Sequence, residues 1–178
     1  MIKTDKKYSQ YLQILKEELI PAMGCTEPIA MAYAAAKARA VLGNMPEKID
    51  IVISGNIIKN VKSVIVPNTG GLKGITAAIA AGVAVGNADK QLEVLADVKQ
   101  EDIPKIAEFM NSCRMTVMKS QSDKLLDIDL HLYAGSDSVR LRITDQHTNI
   151  VLIEKNGKVL FDCLLYTSPS PRDGLLSR

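Results

Sequence analysis

Apolar positions along the first half of the chain follow helical spacing, and those along the second half alternate. Tyr8, Tyr11, Leu12, Leu15, Leu19 and Ile20 fall on one face, which predicts an amphipathic helix over residues 5–20. A second helix is expected over 28–42, ended by Gly43 and Asn44. Its alanines, from Ala30 through Ala40, permit very close approach of a neighbouring backbone. Residues 49–54 and 57–66 read as a strand pair, with Gly55-Asn56 as the turn between them. The run over 75–85 is apolar all round, the pattern of a helix buried on every side. Much of its covering is expected from beyond residue 162, so that the chain alone would leave apolar surface open and associate.

Past residue 100 the pattern changes. Residues 101–112 predict a helix opened by Asp102, with Pro104 in its first turn. Ile128, Leu130 and Leu132 alternate with Asp129 and His131, and Val139, Leu141 and Ile143 alternate with Arg140 and Arg142. Gly135-Ser136-Asp137 supplies one turn. Asn156-Gly157, between residues 150–155 and 158–161, is the strongest hairpin signal, because both residues tolerate positive φ. The expected class is therefore α+β: a helical N-terminal part with a strand pair, then an antiparallel sheet of about four strands backed by a helix. The domain reading follows the same break, with 1–90 as the helical part and 91–162 as a small α+β unit. Residues 163–178 (Cys-Leu-Leu-Tyr-Thr-Ser-Pro-Ser-Pro-Arg-Asp and onward) read as the in-frame translation of a sequencing adapter, a scar set aside from fold reasoning. The natural frame is then expected to run on past Asp162.

Composition narrows the function. Net charge is +2 and hydrophobic content is 47%, with no clustered Lys/Arg face of a nucleic-acid binder. The longest apolar run, eleven residues, is too short to span a bilayer, and the N-terminus lacks the apolar stretch of a secretory signal. Few cysteines, in no disulfide framework, fit a reducing cytoplasm. With neither a basic face nor a spanning run, no nucleic-acid and no membrane partner is expected, and further copies of the chain are the partner left open.

The segment Pro21-Ala22-Met23-Gly24-Cys25-Thr26-Glu27-Pro28 carries the most chemistry. It turns on a glycine and presents Cys25 just before a helix. Thr26 is a good N-cap, and Glu27 and Pro28 suit the first turn. Helix-end amides there can lower the thiol pKa and favour a thiolate. Read plainly, the same cysteine is a small buried hydrophobe in a helix–helix turn. Asn68-Thr69-Gly70-Gly71-Leu72-Lys73-Gly74 precedes the apolar helix. Its glycines would expose backbone N–H groups to an anion, with Asn68 and Thr69 adding donors, or would simply make a tight turn. It is not a Walker A loop. His147 precedes a strand and reads by itself as a capping or edge residue, His131 should face solvent, and Cys113 should be structural.

Several of these motifs, in order, resemble the N-terminal part of the L-cysteine desulfidase family, relatives of iron–sulfur serine dehydratases. The likeness runs through Pro21 to Ala30, Ser54-Gly55-Asn56-Ile57 with Lys59-Asn60-Val61, Val66-Pro67-Asn68-Thr69-Gly70-Gly71, His147-Thr148-Asn149-Ile150 and Glu154-Lys155-Asn156-Gly157. The resemblance implies a lyase that takes L-cysteine to pyruvate, ammonia and sulfide with a [4Fe–4S] cluster. It implies Cys25 as catalytic base or labile cluster ligand. It implies Thr26, Glu27, Asn68, Thr69, Gly70, Gly71 and His147 as substrate contacts; Glu27 itself reads chiefly as a carboxylate complementing the helix dipole, with a second role facing the substrate ammonium. The main cluster ligands would lie outside this chain, leaving it inactive alone. L-serine dehydration, or an amino-acid-binding regulatory module, is the alternative.

Overall fold

The computed structural model describes residues 6–18, 22 and 24–163, and the expected α+β class is what they form. Helix α1 spans Lys6–Glu18, within the predicted 5–20; Asp5, Leu19 and Ile20 lie outside the described residues. Its Tyr11, Leu12 and Leu15 are exposed. Helix α2 spans Thr26–Leu42 and ends on Gly43, whose φ of 85° and N–H to the Arg39 carbonyl make the left-handed stop that its sequence announces. Strand β1 covers Lys48–Ile53.

The second member of the predicted strand pair is instead helix α3, Gly55–Val61. Ser54 decides this locally. Its hydroxyl accepts from the Ile57 N–H at 3.4 Å and donates to the Leu125 carbonyl at 2.7 Å, so it caps a helix and pins that helix to the sheet. Ile57 and Val61, four apart, are the residues α3 buries. Gly55-Asn56 is thus a helix start and not a hairpin turn.

Helix α4, Gly74–Val85, is buried over Ala77–Val83 as its composition requires. Its cover differs from expectation: α2 and, from the same chain, the helix Ile103–Ser112 (α5) pack on it. The small residues explain how. A Cβ at Gly82 would stand 2.1 Å from the Ala32 carbonyl oxygen, so the two backbones touch where α2 crosses α4. After a 3₁₀ turn at Gln100–Asp102, α5 runs Ile103–Ser112, two residues later than predicted, with Pro104 in its first turn.

The sheet is larger than the four strands expected. Strands β2 (Arg114–Lys119), β3 (Asp127–Ala134), β4 (Asp137–Thr144), β5 (Ile150–Lys155) and β6 (Lys158–Asp162) join β1 in the order β2-β1-β3-β4-β5-β6. Only β1 and β2 run parallel. β1 lies between β2 and β3, so the sheet draws on both halves of the sequence. The alternation predicted for β3 and β4 holds: Ile128, Leu130, Leu132, Val139, Leu141 and Ile143 are buried, and α2 packs on those two strands. The Asn156-Gly157 turn has φ of 51° and 76°, the conformation for which the pair was singled out. Lys155 donates to the Val41 and Leu42 carbonyls at 2.9 and 3.2 Å, tying the end of α2 to β5.

The outer face of the sheet carries a slanted ladder of ion pairs. Arg142 grips Asp127 through Nε and Nη2 at 2.8 and 3.1 Å, and Arg140 grips Asp129 at 3.0 and 2.7 Å. Both aspartates are buried, at 1% and 7% exposure. His131 is half-buried, its Nε2 3.3 Å from Asp129, rather than simply solvent-facing. Burial pushes the Asp129 carboxyl upward, yet hydrogen bonds from His131 and Arg140, with their charges, win and hold it at about 2. A carboxyl that titrates near 2 when folded and near 3.8 when unfolded contributes stability that is complete above its unfolded value and is lost as pH falls. Its size is about 2 kcal/mol. Urea unfolding between pH 5 and 2 should show this loss, and Asp129→Asn should flatten that part of the profile. An unchanged slope in the variant would contradict the pairing.

Candidate functional site

The best-supported site gathers at the start of α2 from three separated segments. Gly24, with φ of 109°, turns the chain, and Pro67 lies 3.6 Å from where its Cβ would be. Cys25 is then the N-cap, with φ −64° and ψ 121°, and Thr26 is the first helical residue rather than the cap expected. This shift by one residue sets the site. Cys25 is exposed, and its thiol donates to Glu27 Oε2 at 3.3 Å; Thr26 Oγ1 lies 3.5 Å from the same oxygen. The other carboxylate oxygen, Oε1, accepts from Asn60 Nδ2 at 3.3 Å. Asn60 is on α3, so it reaches Glu27 only because that segment is helical. His147, half-buried in the turn before β5, lies close enough for its charge to act on Glu27.

The electrostatics differ from a helix-activated thiolate. Partial burial, then the hydrogen bond and negative charge of Glu27, push the Cys25 thiol above the ordinary cysteine value; the backbone N–H of Glu27 pulls the other way and loses. Burial also pushes Glu27 upward. Its own backbone N–H, the Cys25 thiol, Asn60 and the His147 charge outweigh that and leave it below the usual carboxylate range. At neutral pH the pair is therefore a protonated thiol donating to an ionised carboxylate.

The remaining candidates serve the loop before α4. Thr69 is buried and donates to the Val66 carbonyl at 2.8 Å; Asn68, at φ 58°, donates to the Leu95 carbonyl at 3.0 Å. Gly70 and Gly71, at φ 69° and 94°, carry the chain through a turn closed by Val66 N–H to the Leu72 carbonyl. A Cβ on Gly70 would sit 3.0 Å from Ile103 Cδ1, so α5 backs the turn closely. These side-chain donors are engaged inside the protein, which is the tight-turn reading of the motif. Cys113 is buried and its thiol is pushed up to about 11 by that burial, a structural residue as expected.

No group of three or more His, Cys, Asp or Glu side chains placed to hold a metal occurs among the described residues. Cys25 offers one exposed thiol, and Cys113 is in the core. The residues present thus do not fit the [4Fe–4S] cluster that the resemblance implied. No described helix is long and apolar enough to cross a membrane.

Asn60 is the site residue that the sequence reading passed over. The Ser54 cap three residues before Ile57, and the Ile57/Val61 spacing, are the signals that would have found it.

No family model matches the chain, and no solved structure matches it. Its curated relatives do. It is 53% identical over 161 residues to a UPF0597 protein of Desulfitobacterium hafniense (strain Y51), a match covering 90% of this chain and 37% of the relative. It is 47% identical over 156 residues to a UPF0597 protein of Treponema denticola, covering 88% and 36%. A third, from Fusobacterium nucleatum subsp. nucleatum, is 46% identical over 156 residues, with the same coverage. The chain spans just over a third of the length of these relatives. The motifs from Pro21 to Gly157 resemble those of the L-cysteine desulfidase family, but the relatives that share the sequence carry a different name, which overturns that assignment. The chain is similar to part of the UPF0597 proteins.

Proposed function

We propose that this chain contributes the proton-transfer site of an amino-acid lyase that eliminates sulfide from L-cysteine to give pyruvate and ammonia. The observation that supports the reading is the Cys25 thiol donating to Glu27 at the start of α2, with Asn60 and His147 behind it. β-Elimination needs a proton removed from Cα and a proton delivered to the departing sulfur. The pair handles both. Glu27 takes the α-proton as the C–S bond breaks, and the Cys25 thiol protonates the leaving hydrosulfide. The thiolate left behind recovers a proton from the Glu27 carboxylic acid, which resets the site. The aminoacrylate product tautomerises and hydrolyses to pyruvate and ammonia. Bound substrate would exclude water from Glu27, and burial is already the largest influence raising its pKa, so closure makes it a better base. A [4Fe–4S] cluster belongs to this reading only with ligands from outside the described residues.

The test uses a full-length relative such as the Desulfitobacterium hafniense protein, prepared anaerobically and assayed for pyruvate from L-cysteine and from L-serine. Pyruvate with equimolar sulfide from L-cysteine is expected. Faster pyruvate formation from L-serine would move the reading to a dehydratase with the same proton pair. No pyruvate from either amino acid would end it.

A further inference from the structure

On the outer face of the sheet, away from Cys25, a hollow of about 250 Å³ opens above the ion-pair ladder. His131 on β3, Arg140 on β4 and Glu154 on β5 stand directly opposite one another across the three strands, and Tyr133, Ser138 and Asn156 close the end nearest the hairpin. Neighbouring strands are about 4.8 Å apart, so this row sets an imidazole, a guanidinium and a carboxylate side by side at that pitch. The middle cation is fixed. Arg140 spends Nε and Nη2 on the buried Asp129, a pairing that locks the guanidinium plane and leaves its third nitrogen, Nη1, for the hollow. Asn156 is fixed as well, accepting from the Ser138 N–H at 2.7 Å and donating to Asp137 at 2.8 Å. The Ser138 hydroxyl and the Tyr133 phenol bring further polar groups to the same wall.

We propose that this hollow binds a small zwitterion of the α-amino-acid class. The ligand carboxylate would lie against Arg140, with His131 and Ser138 beside it, and its ammonium would face Glu154. A cation and an anion on adjacent strands match a ligand whose opposite charges are two bonds apart, whereas a simple anion would meet Glu154 and a simple cation would meet Arg140. A face built this way rejects each single charge and accepts the pair. The hollow is small, which limits the side chain to a few heavy atoms. This site is separate from the proton pair at Cys25 and does not depend on that reading.

The experiment is a titration of the ¹⁵N-labelled chain with L-alanine, acetate and methylammonium, followed residue by residue by NMR. Saturable shifts at His131, Ser138, Arg140 and Glu154 are expected with L-alanine, with acetate and methylammonium at least tenfold weaker. Glu154→Gln, an isosteric change at a half-buried position, should weaken L-alanine tenfold or more, and its amide spectrum reports directly whether the fold is intact. His131→Gln provides a second variant with a smaller loss. Equal affinity for acetate and L-alanine, unchanged binding by a folded Glu154→Gln protein, no saturable shift, or shifts confined to residues 25–27, 60 and 147 would each overturn the proposal. The last pattern would at the same time support the site at Cys25.

Discussion

Gly82→Ala should lower the thermal midpoint of unfolding by roughly 6–12 °C or abolish the cooperative transition. Helix propensity alone argues the reverse, since alanine in a helix interior is favoured over glycine by about 1 kcal/mol. Packing wins here because the added methyl has nowhere to go. Its Cβ would lie 2.1 Å from the Ala32 carbonyl oxygen and 2.8 Å from Ala32 Cα, backbone atoms of a fully buried residue. Relief requires moving α2 away from α4, and α2 also packs on β3 and β4. Overpacking of this kind costs about 1–3 kcal/mol and sometimes more. At the upper end, and at about 2–4 °C per kcal/mol for a chain of this size, the stated shift follows. Calorimetry or circular dichroism measures it. A midpoint equal to or above that of the unsubstituted protein would show that α2 and α4 do not touch at this point.

The other large effect is on turnover. In the full-length protein, Cys25→Ala and Glu27→Gln should each reduce pyruvate formation from L-cysteine by about 10²–10⁴, the usual contribution of a positioned acid or base. The double variant should lose little more than either single one, because the two groups pass a single proton and act as a unit. Multiplied losses in the double variant would mean independent roles. Near-normal sulfide production by either single variant would remove the pair from the chemistry.

Much of this architecture can be read along the chain where local signals agree. The alternation in residues 127–144 and the Asn156-Gly157 turn specify β3 to β6 because side-chain period, turn residues and burial all point the same way. Gly43 ends α2 for an equally local reason. Reading failed where one short signal had to compete with another. Residues 57–66 are rich in β-branched residues, which favoured a strand, yet the Ser54 cap and the bond from Ser54 to Leu125, 71 residues away, stabilise a helix. That error hid Asn60. The cover on α4 was equally beyond a local reading, because apolar residues on every side say that a helix is buried without saying by what. The direction of the Cys25 shift escaped for a third reason. A helix start favours the thiolate in general, but here partial burial, and then the carboxylate two residues on within hydrogen-bond reach of the sulfur, outweigh the amide.

The state of that thiol is open to direct measurement by the pH dependence of Cys25 alkylation with iodoacetamide, read by peptide mass spectrometry in the unsubstituted chain and in Glu27→Gln. The unsubstituted protein should react slowly at neutral pH, with a midpoint above the ordinary cysteine value. Removing the carboxylate charge should shift the midpoint downward and speed alkylation several-fold at neutral pH. A midpoint near or below neutrality in the unsubstituted protein, or one that Glu27→Gln leaves in place, would contradict the pairing of Cys25 with Glu27.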